Sequence, residues 1–98
     1  MNSRAKGKRN EYRTKKYLEE NGYEVEKVKA VMHCSQDFFG RWDIIAVKAG
    51  EPVRWIQVKT NRLPPPDYRD YLRSFVGQGT KEIWIWYDGK PKPRIIIL

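Results

Sequence analysis

The sequence predicts a single α/β domain, residues 1–98, with a mixed five-stranded sheet flanked by helices in the order αβββαββ. Three observations lead to this prediction. Two helical patterns alternate with short runs of β-branched and aromatic residues, and no linker, repeat or low-complexity segment divides the chain. The connection between the third and fourth strands is long enough for a parallel, right-handed crossover, so the sheet should be mixed.

The first helix is predicted over residues 3–21, where good helix formers occur without proline. Ser3 is a candidate N-cap, and Gly22 supplies the left-handed stop. Glu11 and Leu18 lie seven residues apart and therefore share one stripe of this helix. Because Leu18 must face the core, Glu11 is predicted to point toward the core side as well.

The remaining elements follow from strand periods and turn signals. Residues 23–31 predict the first strand and residues 32–41 a loop; "WDIIAVK" and "VRWIQVKT" predict two further strands, separated by the turn "AGEP". After "NRLPPP", the segment "DYRDYLRSFVGQG" has apolar residues at helical spacing and predicts the second helix. The last two strands are "KEIWIWY" and "RIIIL", joined by a turn at Asp88 and Gly89.

Basic residues are concentrated at the start of the chain. The net charge is +8, and residues 1–16 contribute seven basic side chains against one acid, Glu11. Such a block is typical of a protein that binds the phosphate backbone, and residues 1–10 are predicted to be a basic, flexible arm leading into the first helix. The alternative is a solvated tail that aids solubility. The predicted DNA-binding residues are Arg4, Lys6, Lys8, Arg9, Arg13, Arg69 and Arg73.

Other classes of protein are disfavoured by the sequence. The longest apolar run, "IIIL", is far shorter than a membrane helix, and no apolar segment follows the basic N-terminus as in a signal peptide. The single cysteine, Cys34, excludes an internal disulfide and fits a reducing cytoplasm. His33 beside it is the only histidine, and two adjacent ligands cannot enclose a zinc ion. We therefore expect an intracellular protein that does not bind membranes.

Three polar residues stand at the ends of two apolar strands. Antiparallel pairing across "AGEP" places Asp43 opposite residue 58, within one residue, so Asp43, Gln57 and Lys59 should meet at the open end of one hairpin. They share a face only if the register is even or a bulge adjusts it, which the sequence leaves open. Glu11, on a helix that must cover this sheet, is a fourth candidate for the same place.

This combination suits phosphodiester hydrolysis. Mg²⁺ prefers hard oxygen ligands and keeps several waters, so one or two carboxylates with carbonyl oxygens are sufficient to hold it. The ion stabilises the charge that develops on phosphate oxygens, and a neighbouring lysine such as Lys59 can act on the same charge. The alternative is that Asp43 caps a strand while Gln57 and Lys59 face solvent.

The segment "KGKRNEYRTKKYLEENGYEV", followed by "WDIIAV" and "WIQVKTN", resembles the archaeal-type Holliday junction resolvases of the PD-(D/E)XK nuclease superfamily. The resemblance implies a restriction-endonuclease-like core and a homodimer that resolves four-way DNA junctions by paired nicks, with Mg²⁺ as cofactor and Mn²⁺ as a substitute. It assigns Glu11, Asp43 and Gln57 as metal ligands and Lys59 as a catalytic residue. Ser35 is the nearest counterpart of a catalytic loop serine in some members.

Two positions depart from the superfamily pattern. Trp42 stands where the superfamily name has proline, and Gln57 replaces the usual acid, which removes one negative charge from the site. Two alternatives therefore stay open: a related small nuclease that acts on flaps, nicks or duplex DNA, and a non-catalytic nucleic-acid-binding module with a decayed site. The joint presence of Glu11, Asp43 and Lys59 argues against decay, because a dead site does not need charges on its buried side.

A homodimer is also predicted from the strand "KEIWIWY". Trp84 and Trp86 give it large apolar side chains, and both faces of the strand are apolar. This is more apolar surface than so small a core is expected to bury, so the second helix or this strand is predicted to form the interface.

Overall fold

The computed structural model describes residues 3–28, 30–31, 34–35 and 37–98. Within these residues, five strands form a mixed sheet in the order β1-β4-β5-β6-β7, and two short strands pair separately. The elements are α1 (Ser3–Glu20), β1 (Glu24–Lys27), β2 (Ala30–Val31), β3 (Cys34–Ser35), β4 (Ile44–Val47), β5 (Arg54–Thr60), α2 (Pro66–Arg73), β6 (Thr80–Trp86) and β7 (Arg94–Ile97). The predicted α/β fold with a five-stranded sheet is confirmed.

The sheet is mixed because one of its pairings is parallel. Strand β5 pairs in parallel with β6, and α2 lies in the connection between them. The pairs β1–β4, β4–β5 and β6–β7 are antiparallel. The crossover through the second helix was predicted from its length alone, and the structure confirms it.

The two helices cover opposite faces of the sheet. Helix α1 buries Leu18 against one face, and α2 buries Leu72 against the other. Successive residues of β6 alternate between these two cores, since side chains of a strand point to opposite faces. The α1 core contains Leu18, Ile44, Ala46, Ile56, Val58, Trp84 and Trp86, and the α2 core contains Trp42, Leu72, Phe75, Ile83 and Ile85.

This two-sided packing corrects one sequence argument. Trp84 and Trp86 are at most 3 % exposed and lie in the α1 core, while Ile83 and Ile85 are fully buried in the α2 core. The apolar side chains on both faces of β6 are therefore consumed by the domain itself, because a helix covers each face. The predicted homodimer needs another surface.

Three predicted boundaries differ from the structure. The first strand ends at Lys27, and a two-stranded hairpin of β2 and β3 follows where the sequence predicted a strand end and a loop. Helix α2 ends at Arg73 instead of continuing to Gly77 or Gly79. Its last turn is closed at Ser74, whose N–H donates to the Asp70 carbonyl, and the chain then turns inward to bury Phe75.

The basic arm is helical from residue 3 onward. Residues 3–10 belong to α1, as the helix predicted over residues 3–21 requires, while the flexibility predicted for the arm of residues 1–10 stays a prediction. Two polar contacts attach the helix to the end of the sheet: the Lys6 ammonium lies 2.8 Å from the Asp88 carboxylate, and Trp86 Nε1 donates to Thr14 Oγ1 over 2.7 Å. No helix among the described residues is long and apolar enough to span a bilayer.

Candidate functional site

Asp43 directly precedes Ile44, the first residue of β4, and the pairing of this strand fixes its position. Ile44 is paired with Ile56 of β5, and the Asp43 N–H donates to the Ile56 carbonyl over 2.9 Å. Two successive residues thus lie opposite one residue, which is the pattern of a β-bulge. The Asp43 side chain turns to β5, where Oδ2 accepts a hydrogen bond of 2.9 Å from the Val58 N–H. The carboxylate therefore replaces a ladder carbonyl beside β5 and is 6 % exposed.

Gln57 and Lys59 lie on the face of β5 that α2 covers. Their partners on β6 are Ile83 and Ile85, which belong to the α2 core. Gln57 is 5 % exposed, and among the described residues its Oε1 has no hydrogen-bond donor. The Lys59 ammonium lies 5.0 Å from the centroid of the Tyr68 ring of α2. The alternative in which Gln57 faces solvent is therefore wrong.

Lys59 has an ammonium group that no carboxylate neutralises. Within the described part of the chain it forms no ion pair, and its side chain is half-buried against Tyr68. A lysine held over an aromatic ring beside a buried carboxylate can reach an anionic group at the mouth of the site.

Glu11 approaches from the opposite face of the sheet. It is half-buried, as the helical stripe with Leu18 predicted, and its Oε1 lies 3.3 Å from the Lys27 ammonium at the end of β1. Burial raises the pKa of Glu11, and Lys27 partly offsets this effect. Lys27 was missed by the sequence reasoning, which treated its strand as a purely structural element.

The pKa of Asp43 depends on residues from several of these elements. Burial, together with the nearby charges of Asp37 and Glu11, raises the pKa of Asp43 to about 8, and the hydrogen bond from the Val58 N–H opposes this rise. A carboxyl group in such a place is neutral at pH 7 unless a cation stabilises its charge. Glu11 and Asp43 are thus within electrostatic reach of each other, although their helix and strand approach from different sides.

Asp37 is a second residue that the sequence reasoning missed. It lies in the segment predicted as a patternless loop, yet Phe38 pairs with Trp42 across this loop, which brings Asp37 next to Asp43. Asp37 is close enough to raise the pKa of the Asp43 carboxyl group. The signal was an acid six residues before the strand aspartate, separated from it by a short hairpin that contains Gly40.

The donor atoms fit a hard divalent cation. Asp43 and Asp37 are neighbouring carboxyl groups, and the buried Gln57 Oε1 is an acceptor without a partner. Mg²⁺ takes one or two carboxylates with neutral oxygens and keeps several waters. In residues 3–28, 30–31, 34–35 and 37–98, no group of three or more His, Cys, Asp or Glu is arranged to hold a metal ion. Two carboxyl groups and one amide oxygen would leave the other coordination positions of such an ion to water.

The predicted DNA-binding residues of α1 divide into two groups. Lys8 and Arg9 are exposed on the helix surface. Lys6 is held by Asp88, and the Arg13 guanidinium stacks 4.1 Å over the Trp86 ring while donating to Asn10 Oδ1 over 3.2 Å. Lys6 and Arg13 thus also attach the helix to the end of the sheet.

The remaining predicted residues are placed as follows. Arg73 is exposed and paired with Asp70 one turn earlier on α2, and Arg69 Nε is buried without an acceptor among the described residues. The side chains of Arg4 and Ser35 lie outside the described residues, so their predicted roles stay predictions.

Asn10 connects helix α1 to strand β5. It is 3 % exposed, and its Nδ2 donates to Thr60 Oγ1 over 2.7 Å. Asn10 precedes Glu11, and Thr60 follows Lys59, so this buried hydrogen bond sets the distance between the two elements that present them. Sequence reasoning missed this residue because an asparagine within a helix carries no local signal of a long-range contact.

This fold is similar to that of a solved archaeal protein. The solved structure of Archaeoglobus fulgidus Hjc, a Holliday junction resolvase from an archaeal hyperthermophile, is similar with a TM-score of 0.66 and 21 % sequence identity. The similarity covers 94 % of this chain and 72 % of Hjc. The resemblance drawn from the sequence motifs is thus confirmed for the fold. No protein-family model and no curated protein matches the chain.

The raised pKa of Asp43 predicts an unusual dependence of stability on pH. The ordinary pKa is 3.8, and in the folded protein it is about 8, so the folded state binds more protons than the unfolded state between these values. Without divalent cations, the free energy of unfolding should therefore fall as pH rises from 5 to 8, by up to about 1.4 kcal/mol per pH unit. Urea unfolding in EDTA at several pH values measures this slope.

The variant Asp43→Asn should flatten the slope, because its amide oxygen can still accept from the Val58 N–H but does not titrate. Asp67→Asn, which changes an exposed aspartate of α2, is the matched control and should leave the slope unchanged. Equal slopes for the wild type and Asp43→Asn would show that the Asp43 carboxyl is not the titrating group.

Proposed function

We propose that this protein is a metal-dependent, structure-selective DNA endonuclease that resolves four-way junctions by paired nicks. The observation that carries the proposal is the buried carboxylate of Asp43, adjacent on the sheet to the partnerless Gln57 oxygen and to Lys59. This constellation lies at the end of a hairpin in a fold similar to that of a Holliday junction resolvase.

Asp43 and Gln57, with Glu11 nearby, would hold Mg²⁺, or Mn²⁺ in its place. When bound, the ion supplies Lewis-acid stabilisation of the charge that develops on the phosphate oxygens. Lys59, which has no ion pair among the described residues, would hold the same phosphate as a point charge. Lys27 keeps the Glu11 carboxylate oriented toward the site.

The basic residues of α1 would bind the DNA backbone. Lys8 and Arg9 project from the helix surface and are followed on the same helix by Glu11, so phosphates bound along α1 lead toward the site. Contacts to phosphates fix the position of a duplex without reading base sequence, which suits recognition of a branched shape. Arg69 and Arg73 of α2 lie on the other helix and would contact a second arm of a junction.

We further propose that the protein acts as a homodimer through the surface at the end of α2. A groove of about 420 Å³ lies there, lined by apolar and aromatic side chains. Val76 at its rim is 95 % exposed, and Phe39 is 67 % exposed. Two sites related by a twofold axis would account for paired nicks. The groove is lined by Phe39, Arg41, Trp55, Ser74, Phe75, Val76 and Gly77.

Cleavage assays on a four-way junction, a flap, a linear duplex and a single strand test the activity. In Mg²⁺ or Mn²⁺ we expect symmetric nicks in the four-way junction, and in EDTA none. Preferred cutting of the flap or duplex would favour a related small nuclease. Binding without cutting would favour a non-catalytic module, in which the neutral Gln57 marks a decayed site. Cutting that persists in EDTA would exclude the metal-dependent mechanism.

In the same assay, Lys59→Ala should lower the cleavage rate by roughly 10²–10³-fold, because the ammonium group no longer stabilises the negative charge of the transition state. Junction binding, measured by gel shift, should stay nearly unchanged. Lys92→Ala, which removes an exposed lysine from the β6–β7 turn, is the control. A parallel loss of binding and cutting would identify Lys59 as a phosphate anchor only.

The role of α1 is tested by the double variant Lys8→Ala/Arg9→Ala. Junction affinity should fall, and the slope of log affinity against log salt should flatten by about 0.9 for each lost phosphate contact. The double variant Lys90→Ala/Lys92→Ala removes the same charge elsewhere and should leave the slope unchanged. An unchanged slope in the α1 variant would support the solubility role of the basic block.

The proposed dimer is tested by Val76→Glu, which places a charge in the apolar groove. We expect light scattering to show a dimer for the wild type and a monomer for Val76→Glu, with unchanged circular dichroism. Val47→Glu, at a partly exposed position of β4, is the control and should stay dimeric. A wild-type monomer at micromolar concentration that still cuts junctions symmetrically would contradict the dimer.

A further inference from the structure

The loop before β4 contains an acid, Asp37, and this acid matters because the residue at position 57 is a neutral glutamine. We propose that Asp37 is a ligand of the divalent cation and supplies, from this loop, the carboxylate that Gln57 does not provide. The inference rests on the proposed metal dependence and adds a residue that neither the sequence motif nor the resemblance includes.

Backbone hydrogen bonds place Asp37 beside Asp43. The Phe38 N–H donates to the Trp42 carbonyl over 2.8 Å, and the Trp42 N–H donates back to Phe38 over 3.0 Å. In such a closed antiparallel pair, the residues just outside it face each other. These residues are Asp37 and Asp43, so the loop closure itself brings the two carboxyl groups together.

The loop is held rigidly enough to keep this arrangement. Trp42 is fully buried in the α2 core. The Arg41 guanidinium stacks 4.1 Å over the Tyr71 ring, and its Nε donates to the Tyr71 carbonyl over 3.1 Å. Phe39, whose backbone is left-handed at φ 56°, packs on Phe75 with ring centroids 5.3 Å apart. The loop is thus attached to α2 through Arg41 and to the segment after α2 through Phe39.

The charge around these acids is not balanced by protein groups. Neither Asp37 nor Asp43 forms an ion pair with any described residue, although Asp43 is 94 % buried, as its 6 % exposure shows. Gln57 precedes Val58, whose N–H binds the Asp43 carboxylate; it is equally buried, and among the described residues its side-chain oxygen has no donor. A divalent cation bound by the two adjoining carboxyl groups and the amide oxygen would balance their charge and give the Gln57 oxygen a partner.

This arrangement explains how the site can function with a neutral residue at position 57. With Gln57 as an uncharged oxygen ligand, Asp37 and Asp43 together provide the two carboxylates that Mg²⁺ usually receives from protein side chains.

Metal binding measured directly tests this inference. In calorimetric titration with Mn²⁺, Asp37→Asn should bind the ion roughly 10–100-fold more weakly than the wild type. The matched control is Asp67→Asn, whose exposed aspartate lies on α2, and it should bind as the wild type does. Unchanged Mn²⁺ affinity in Asp37→Asn would overturn the inference, even if the wild type cuts junctions in Mg²⁺.

A rescue experiment separates ligation from a structural role. If Asp37 supplies the missing charge, Gln57→Glu introduced into Asp37→Asn should restore most of the Mn²⁺ affinity. Thermal unfolding in EDTA should show that Asp37→Asn is at least as stable as the wild type, because one of two adjoining acids has been removed. Lower stability in EDTA together with an unchanged thermal response to Mn²⁺ would assign Asp37 to the loop structure and overturn the inference.

The two proposals fail in different ways. A wild type that binds Mn²⁺ through Asp37 but cuts no DNA would retain the ligand assignment and contradict the nuclease function. A wild type without any measurable Mn²⁺ or Mg²⁺ affinity would contradict the metal dependence and, with it, the role of Asp37.

Discussion

The hydrogen bond from the Val58 N–H to the Asp43 carboxylate is the contact on which the candidate site depends. It forms just before the first residue of β4. There the Asp43 side chain accepts from a backbone N–H of β5 that a carbonyl of the neighbouring strand would otherwise bind. The same bond holds the buried carboxylate beside β5 and fixes the end of the loop that contains Asp37. Three elements of the site are therefore positioned by one polar contact within an otherwise apolar hairpin.

Helix α1 reaches this place from the other face through a series of polar contacts. The Asn10–Thr60 hydrogen bond and the bond from Trp86 to Thr14 attach its buried side to the ends of β5 and β6. Because these contacts are directional, they fix the rotation of the helix more strictly than apolar packing alone. Glu11 is thereby presented at the edge of the sheet. Within the basic block, Lys6 attaches α1 to Asp88, while Lys8 and Arg9 lie on the outer surface of the helix.

The parts of the fold that could be predicted are those with a local pattern. The β4–β5 hairpin follows from two apolar runs around a short turn, and the placement of Gln57 and Lys59 on one face follows from strand alternation. The β2–β3 hairpin has no such period. Asp37 is brought to the site only by the closure of a loop with a left-handed Phe39, a conformation that its sequence does not favour. Lys27 pairs with Glu11 across two elements, which no short spacing reveals.

Gln57 is also consistent with the charge balance of the metal-free protein. A glutamate at this buried position would place a further carboxylate beside Asp43 and within the influence of Asp37, with no cationic side chain paired to either in the described residues. Removing each such charge from water costs several kcal/mol, in order of magnitude, unless it is neutralised. A glutamine keeps the oxygen and avoids that cost. The folded state then needs only a proton on Asp43 when no cation is bound, so protons and cations compete for the same buried group.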